Sequence, residues 1–425
     1  MRHLRAALTV VTLALLSACS GSEGSAPAPD ASTDATDDSA ALDVAAADVT
    51  PKASAEAAVD VARDVPFAVA EHDPLIVIPN QGGAVMAHPR LVLITYADDP
   101  NRDALEAQAR WLVGSSWMHA VGDEYGVGEG SVEAVVRLPA NAPDLITDRQ
   151  ISSMLAAGVE DGAYPIAADG IRETLYVIYF PSHTTITQSA GAGRPVMRSC
   201  EAFGGYHFEA ATNSRGRFSY AVIPACPVPA AFSALTPIEV EEHALSHEVI
   251  EAATNPRPVT DPAWALSADS QSPWLAIGNE LADLCSLSLH VYREGMFVAE
   301  RSWSNAAARM GDRDPCVPAD SAAPYFNASI SPAEAQTADA GGTVEFTLRG
   351  WSNVAVAPWD LRSSSTGAFM PTVRFSAPTM NNGSTVTMRV TVPESAPSQS
   401  YALIYVYVSR TRGEYRIIPV LVRVQ

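Results

Sequence analysis

The stretch from Thr236 to Pro256 constrains this chain more than any other, because it writes both ends of one helix around a set of chemically able side chains. Thr236 suits an N-cap, Pro237 the first helical position, and Glu239 completes a capping box with Thr236. Asn255-Pro256 cannot continue a helix and sets its end. Residues i and i+4 project from one face a turn apart, so His247 and Glu251 can grip one cation, while Glu248 lies about 100° around the axis. His243 shares the stripe, but three positions at i, i+4 and i+8 span about 12 Å, too far for one ion. A His243–His247 pair would also place the inert Ala244 where a base is needed. His243 is therefore expected to support the site or to be plain surface.

His247-Glu248-x-x-Glu251 resembles the zincin motif H-E-x-x-H with a glutamate as the second ligand, a legitimate but rarer zinc donor. His-Glu pairs on acidic helices are common and most bind nothing, so a second half is needed. Gly278-Asn-Glu280-Leu-Ala-Asp283-Leu-Cys285 supplies one. By the resemblance, Glu280 is expected as the third ligand and Asp283 as acceptor for the imidazole N–H. Glu248 is expected as the general base toward water, and Zn2+ as the cofactor. His207 approaches the site through a cysteine-bounded segment and is a weaker candidate; His119, His183 and His290 are weaker still.

The N-terminus directs the chain out of the cytoplasm. Arg2 and Arg5 precede an apolar run, Ala6 to Leu16, that is too short to span a bilayer. Leu16-Ser-Ala-Cys19 looks like a lipobox, which implies cleavage before Cys19 and its acylation; an ordinary secretory signal is the alternative. Ser20 at the next position points to the outer membrane. From Ser20 to about Ala70 the composition is Ala, Asp, Ser, Pro and Thr, which cannot bury enough apolar surface to order itself. Net charge is −21, Lys52 is the only lysine, and removing Arg2 and Arg5 takes it to −23. Without a basic cluster, nucleic acid is excluded as a partner. Beyond Cys19, four cysteines remain for an oxidising compartment. Cys200–Cys226 with Cys285–Cys316 closes the shortest loops of three connectivities, and no C-x-x-C spacing supports a zinc site instead.

Four regions follow: a signal peptide over 1–18, an acidic tether over 19–73, an α+β zincin-like domain over 74–319, and an all-β Ig-like sandwich over 320–425. In the third, strands are expected at 91–96, 132–138, 174–180 and 218–223. Helices are expected from Asp99-Pro100 through Trp111, around Trp117, from Thr147-Asp148 to Val159, and after Thr236. No Gly-rich loop follows the first strand, which excludes a nucleotide-binding doubly wound fold. In the fourth region, alternating runs at 343–349, 372–376, 384–392, 401–408 and 415–424 predict a sandwich.

Several separated pieces occur in the order found in the plant Exordium (phosphate-induced) proteins and their bacterial relatives. They are Gly82-Gly-Ala-Val-Met86, the Cys200 to His207 segment, Tyr220-Ala-Val-Ile-Pro-Ala-Cys226, His247 to Pro256, Glu280 to Cys285, and Arg301-Ser-Trp-Ser-Asn305. The chain resembles that family over about residues 78–318. The resemblance implies a secreted protein of cell-wall association and makes Glu251 an intended ligand; His243 departs from the family pattern. The expected function is a zinc-dependent, peptidase-like hydrolase, with a non-catalytic surface protein that binds a glycan or protein as the alternative. A glycosidase built on Glu248 with Glu280 or Asp283 has only its carboxylates behind it.

Overall fold

The computed structural model describes residues 67–189, 196–288, 290–320, 322–411 and 414–425. The signal sequence, Cys19 and nearly all of the acidic tether lie outside them. Residues 68–425 form one compact unit with two main bodies, a mixed α/β body and a β-rich one.

The α/β body is built on β1 (Arg90–Thr95), β2 (Ser131–Arg137), β4 (Thr174–Phe180), β7 (Tyr206–Ala211) and β8 (Arg217–Pro224), in the order β2-β1-β4-β8-β7. The first four pair in parallel, and β7 closes the edge antiparallel to β8. A small second sheet holds β3 (Leu145–Thr147), β5 (Thr185–Ser189) and β6 (Val196–Arg198). The continuous apolar runs in β1 and β4 are explained by burial on both faces. Leu91, Leu93, Leu175, Val177 and Tyr179 point to one core, shared with α1 (Arg102–Gly114), α2 (Ser116–Gly122) and α4 (Pro237–Thr254). Val92, Ile94, Tyr176, Ile178 and Phe180 point to the other, against Ile151 and Leu155 of α3 (Asp148–Asp161). Each such side chain contributes about 1.5–3 kcal/mol by leaving water. Helices on both faces make three layers, with a mostly parallel sheet where the sequence suggested a looser α+β arrangement.

The predicted capping box of Thr236 with Glu239 forms at the start of α4, and Thr147, expected to cap α3, does so in a capping box with Gln150. Both expected disulfides are present, Cys200–Cys226 and Cys285–Cys316. Beyond α4 lie a hairpin of β9 (Tyr292–Glu294) and β10 (Phe297–Ala299), then β11 (Ser302–Trp303), α5 (Asn305–Met310) and β12 (Cys316–Val317). Asn255, which ends α4, donates its backbone N–H to Glu251 O.

The β-rich body has two sheets over one core. The first contains β13 (Phe326–Ser331), β15 (Thr343–Ser352), β19 (Thr385–Thr391) and β17 (Thr372–Phe375). The second contains β14 (Gln336–Ala338), β21 (Glu414–Val424), β20 (Tyr401–Thr411), β16 (Trp359–Gly367) and β18 (Thr379–Met380). Alternate residues such as Val386, Met388 and Val390 enter the core. The sequence reading found five of these nine strands; β13, β14, β16 and β18 were not anticipated. Residues 68–73, assigned to the tether, pack against the β-rich body. Ala70 donates to Asn382, His72 stacks on Trp351 at 3.9 Å, and Asp73 bonds Ser329. These contacts give a polar, Ala-rich segment a partner that composition alone does not reveal.

Candidate metal centre

Helix α4 is buried almost all round from Glu241 onward, so its core-facing carboxylates are placed where charge is costly unless matched. Leu245, Val249, Ile250, Ala252 and Ala253 pack it against the sheet. That packing turns His247, Glu248 and Glu251 toward the edge strand β7 and the turn at 280–286. His207, His247, Glu248, Glu251, Glu280, Asp283 and Glu300 are all within 5% of full burial. Among the described residues, the ion-pair partners of these carboxylates are imidazoles, with no Lys or Arg among them.

His247 is held on one side and open on the other. Its Nδ1 lies 2.7 Å from Glu300 Oε2. Glu300 is itself fixed: its N–H donates to Ser246 Oγ and its carbonyl accepts from Trp117 Nε1. With Nδ1–H committed to Glu300, the Nε2 lone pair faces Glu251 Oε2 at 3.2 Å and Asp283 Oδ1 at 3.8 Å. Among the described residues, these three form one of two groups whose ligand atoms lie close enough to share a metal ion; the other is His207, Glu248 and Glu251. The remaining Glu251 oxygen accepts the Asp283 N–H at 3.0 Å, and Asp283 Oδ2 accepts the Glu280 N–H at 3.0 Å.

Five buried atoms pointing into this cluster have no hydrogen-bond partner: His207 Nε2, His247 Nε2, Glu248 Oε2, Glu280 Oε2 and Asp283 Oδ1. These are five of fifteen such atoms among the described residues, and their gathering in one cluster fits a cation that would bond several at once. The backbone leaves room for them. A Cβ on Gly205 would meet Glu248 Oε1 at 2.8 Å, and one on Gly278 would meet the Asp283 carboxyl at about 2 Å.

The electrostatics follow from crowding. Burial pushes Glu251 up to about 7, partly offset by His247, and pushes Asp283 well above the usual carboxylate range, reinforced by Glu251. Burial alone would lower both His207 and His247. The carboxylates prevail, Glu280 and Glu248 at His207 and Glu251 and Glu300 at His247, and raise both. His243 moves the other way, lowered by burial and by His247 against the pull of Glu300.

The sequence-predicted residues gather here, with Asp283 and Glu280 in positions other than those expected. Asp283, expected to hold the imidazole N–H, instead faces the open nitrogen of His247 beside Glu251. Glu280, expected as the third ligand, turns to Asn255 Nδ2 at 2.6 Å and His207 Nε2 at 3.4 Å. Asn255 draws it there, since its amide is otherwise occupied only through Oδ1, which accepts the Ala263 N–H. The imidazole N–H goes to Glu300, which the sequence reading missed; Ala299-Glu300-Arg301 carries no spacing signal toward α4. His243 approaches Glu300 at 3.4 Å and so reaches the site through that carboxylate. His207 enters from β7, with Nδ1 3.5 Å from Glu248 and 3.8 Å from Glu251. A pocket of about 40 Å³ opens onto His243, His247, Glu248 and Glu300, and is roofed by Pro229, Phe232 and Leu235.

No protein-family model matches the chain, and no match is found among curated proteins. Among the solved structures that align with it are two of low similarity. WR4, an MSP family member of C. elegans, is 12% identical over 23% of this chain and 97% of its own, with a TM-score of 0.16. A nucleoside hydrolase-related hypothetical protein from Saccharophagus degradans, described as associated with carbohydrate metabolism, is 11% identical over 80% of this chain and 100% of its own, with a TM-score of 0.25.

Proposed function

We propose that this chain is a lipid-anchored, extracytoplasmic hydrolase of zincin-like type that uses one divalent cation, zinc first among candidates, on a peptide or similar bond. The observation that carries the reading is the arrangement around His247, pinned at Nδ1 by Glu300 and open at Nε2 toward Glu251 and Asp283. One imidazole and two carboxylates, with a carboxylate behind the imidazole, is a donor set suited to zinc. A cation held there would supply Lewis-acid polarisation of a carbonyl and acidification of water.

The protein's own groups divide the remaining work. Glu248 stands beside the cluster on the same helix, with Oε2 3.5 Å from His207 Nδ1, and in this reading takes a proton from water and returns it to the leaving group. His207 lies against the Glu248 carboxylate and is placed to hold its orientation. Glu300 fixes the tautomer of His247, and His243 borders Glu300. The resemblance to Exordium proteins supports the exported location, as do two disulfides. In this reading the β-rich body is an Ig-like spacer or adhesion module, and Cys19 carries the membrane anchor.

A second reading is favoured by the size of the pocket. Its volume, about 40 Å³, is far below that of a pocket for an extended substrate. Movement of the segment carrying Phe232, which lines the pocket, would widen the approach to Glu248. A chain in which it never yields would be a surface protein with a structural cation, binding a glycan or protein elsewhere. Glu248→Gln separates the two: the hydrolase reading expects metal content unchanged and cleavage of a fluorogenic peptide library lost. Unchanged cleavage would remove Glu248 from the mechanism, and no cleavage by the metal-loaded wild type would favour the second reading.

A further inference from the structure

The proposed reaction uses one group of metal-ligand spacing, His247, Glu251 and Asp283, and leaves the other, His207, Glu248 and Glu251, without an ion. The second group is built like the first. His247 has Glu300 at Nδ1 and offers Nε2 to carboxylates. His207 has Glu280 Oε1 3.4 Å from Nε2 and turns Nδ1 to Glu248 Oε2 at 3.5 Å and Glu251 Oε2 at 3.8 Å. Each flanking carboxylate is anchored in turn, Glu300 through its N–H to Ser246 Oγ and Glu280 by Asn255 Nδ2 at 2.6 Å. A carboxylate at the far nitrogen selects the tautomer in which the near one can bind a metal.

Two observations separate this group from a chance gathering of acids. Glu248 is 1% exposed, and its Oε2, which approaches His207 Nδ1, makes no hydrogen bond. The other is charge. Glu248, Glu251, Glu280, Asp283 and Glu300 are five buried carboxylates, and among the described residues none pairs with a Lys or Arg. With His247 bound to a divalent cation as a neutral base, that ion and a protonated His207 offset three of the five charges. A second ion in place of the His207 proton offsets four, and burial makes each unmatched charge costly. Both groups call on one atom, Glu251 Oε2, because Oε1 is committed to the Asp283 N–H.

We propose that His207, Glu248 and Glu251 form a second, weaker site for a divalent cation, bridged to the first through Glu251 Oε2, and that filling it switches the hydrolase off. The shared oxygen offers the second ion less donor charge and the first ion repels it, so the two sites fill in order. Glu248 Oε2, bound to the second ion, is no longer free to accept a proton from water. The inhibition rests on the hydrolase reading above; the second site does not.

The test is calorimetric titration of the metal-free full chain, carrying Cys19→Ser to remove the acylation site, with zinc and separately with manganese. Zinc should bind in two events, the second about tenfold weaker or more and lost on gel filtration. His207→Gln and Glu248→Gln should each lose the weaker event alone, keeping the tight one and the melting transition. In the wild type, the electron paramagnetic resonance signal per bound manganese should fall as the second ion enters, because the shared oxygen couples the two spins. Cleavage of the peptide library by the one-zinc protein should fall about tenfold or more as the second event saturates. A single event in the wild type, a second event undiminished in both variants, or a manganese signal that adds ion by ion would each overturn the site. Cleavage unaffected by the second zinc would overturn the inhibition alone. Absence of cleavage at every zinc level would remove the hydrolase reading and the inhibition with it, while the ion count still decides the site.

Discussion

His247 Nδ1 lies 2.7 Å from Glu300 Oε2, and this one bond decides which imidazole nitrogen faces Glu251 and Asp283. Without it either tautomer is open to His247, and half of the site's preorganisation is lost. Glu300→Ala should therefore weaken zinc affinity about 10–100-fold while the chain still folds. Competition against a chromogenic chelator measures it. Unchanged affinity would show that the bond is only a packing contact.

Two glycines test the division between binding and chemistry. A methyl on Gly205 meets the Glu248 carboxylate, and one on Gly278 meets that of Asp283. Gly205→Ala should keep the metal and lower hydrolysis about 100-fold or more, as expected when a general base is displaced. Gly278→Ala should lose the metal. Metal content and peptide cleavage measured together distinguish them; the same phenotype from both would erase the assigned roles of Glu248 and Asp283.

Glu241, one turn before Leu245 on α4, has its carboxyl pushed up to about 7 by burial and by Asp99, while Asn101 donates to it. The unfolded group titrates near 4.5, so between these values the folded state holds the extra proton. Stability then falls as pH rises from about 4.5 through 7, and the deficit is complete above that. Glu241→Gln keeps an acceptor for Asn101 and carries no charge. It should gain about 1–3 kcal/mol at pH 8 and nothing at pH 4. Urea unfolding across that range checks it, and an equal gain at both pH values would contradict the burial argument.

What the sequence made legible follows from where the physics is local. α3 and α4 were readable because Thr147 with Gln150 and Thr236 with Glu239 fix their starts within four residues. β1 and β4 were readable as apolar runs buried on both faces. β7 was not read, although Tyr206-His-Phe-Glu-Ala alternates with Tyr206, Phe208 and Ala210 toward one core; its six residues make a short edge strand held by pairing with β8. β16 was hidden for a related reason: Asp360 to Gly367 is rich in Ser and is ordered by pairing along β20, not by its own composition. At the site, spacing within α4 identified His247, Glu248 and Glu251. It could not assign partners from separate segments: Asp283 lies nearer His247 Nε2, Glu280 turns to Asn255 and His207, and Glu300 and His207 are brought in only by tertiary packing.

The central claim is that His247, Glu251 and Asp283 hold one divalent cation. Metal analysis after reconstitution with zinc and gel filtration tests it most directly, with wild type beside His247→Ala. Roughly one zinc per chain is expected in the wild type, with loss of that zinc from a folded His247→Ala protein. Zinc absent from the wild type, or retained equally by the variant, would contradict the account.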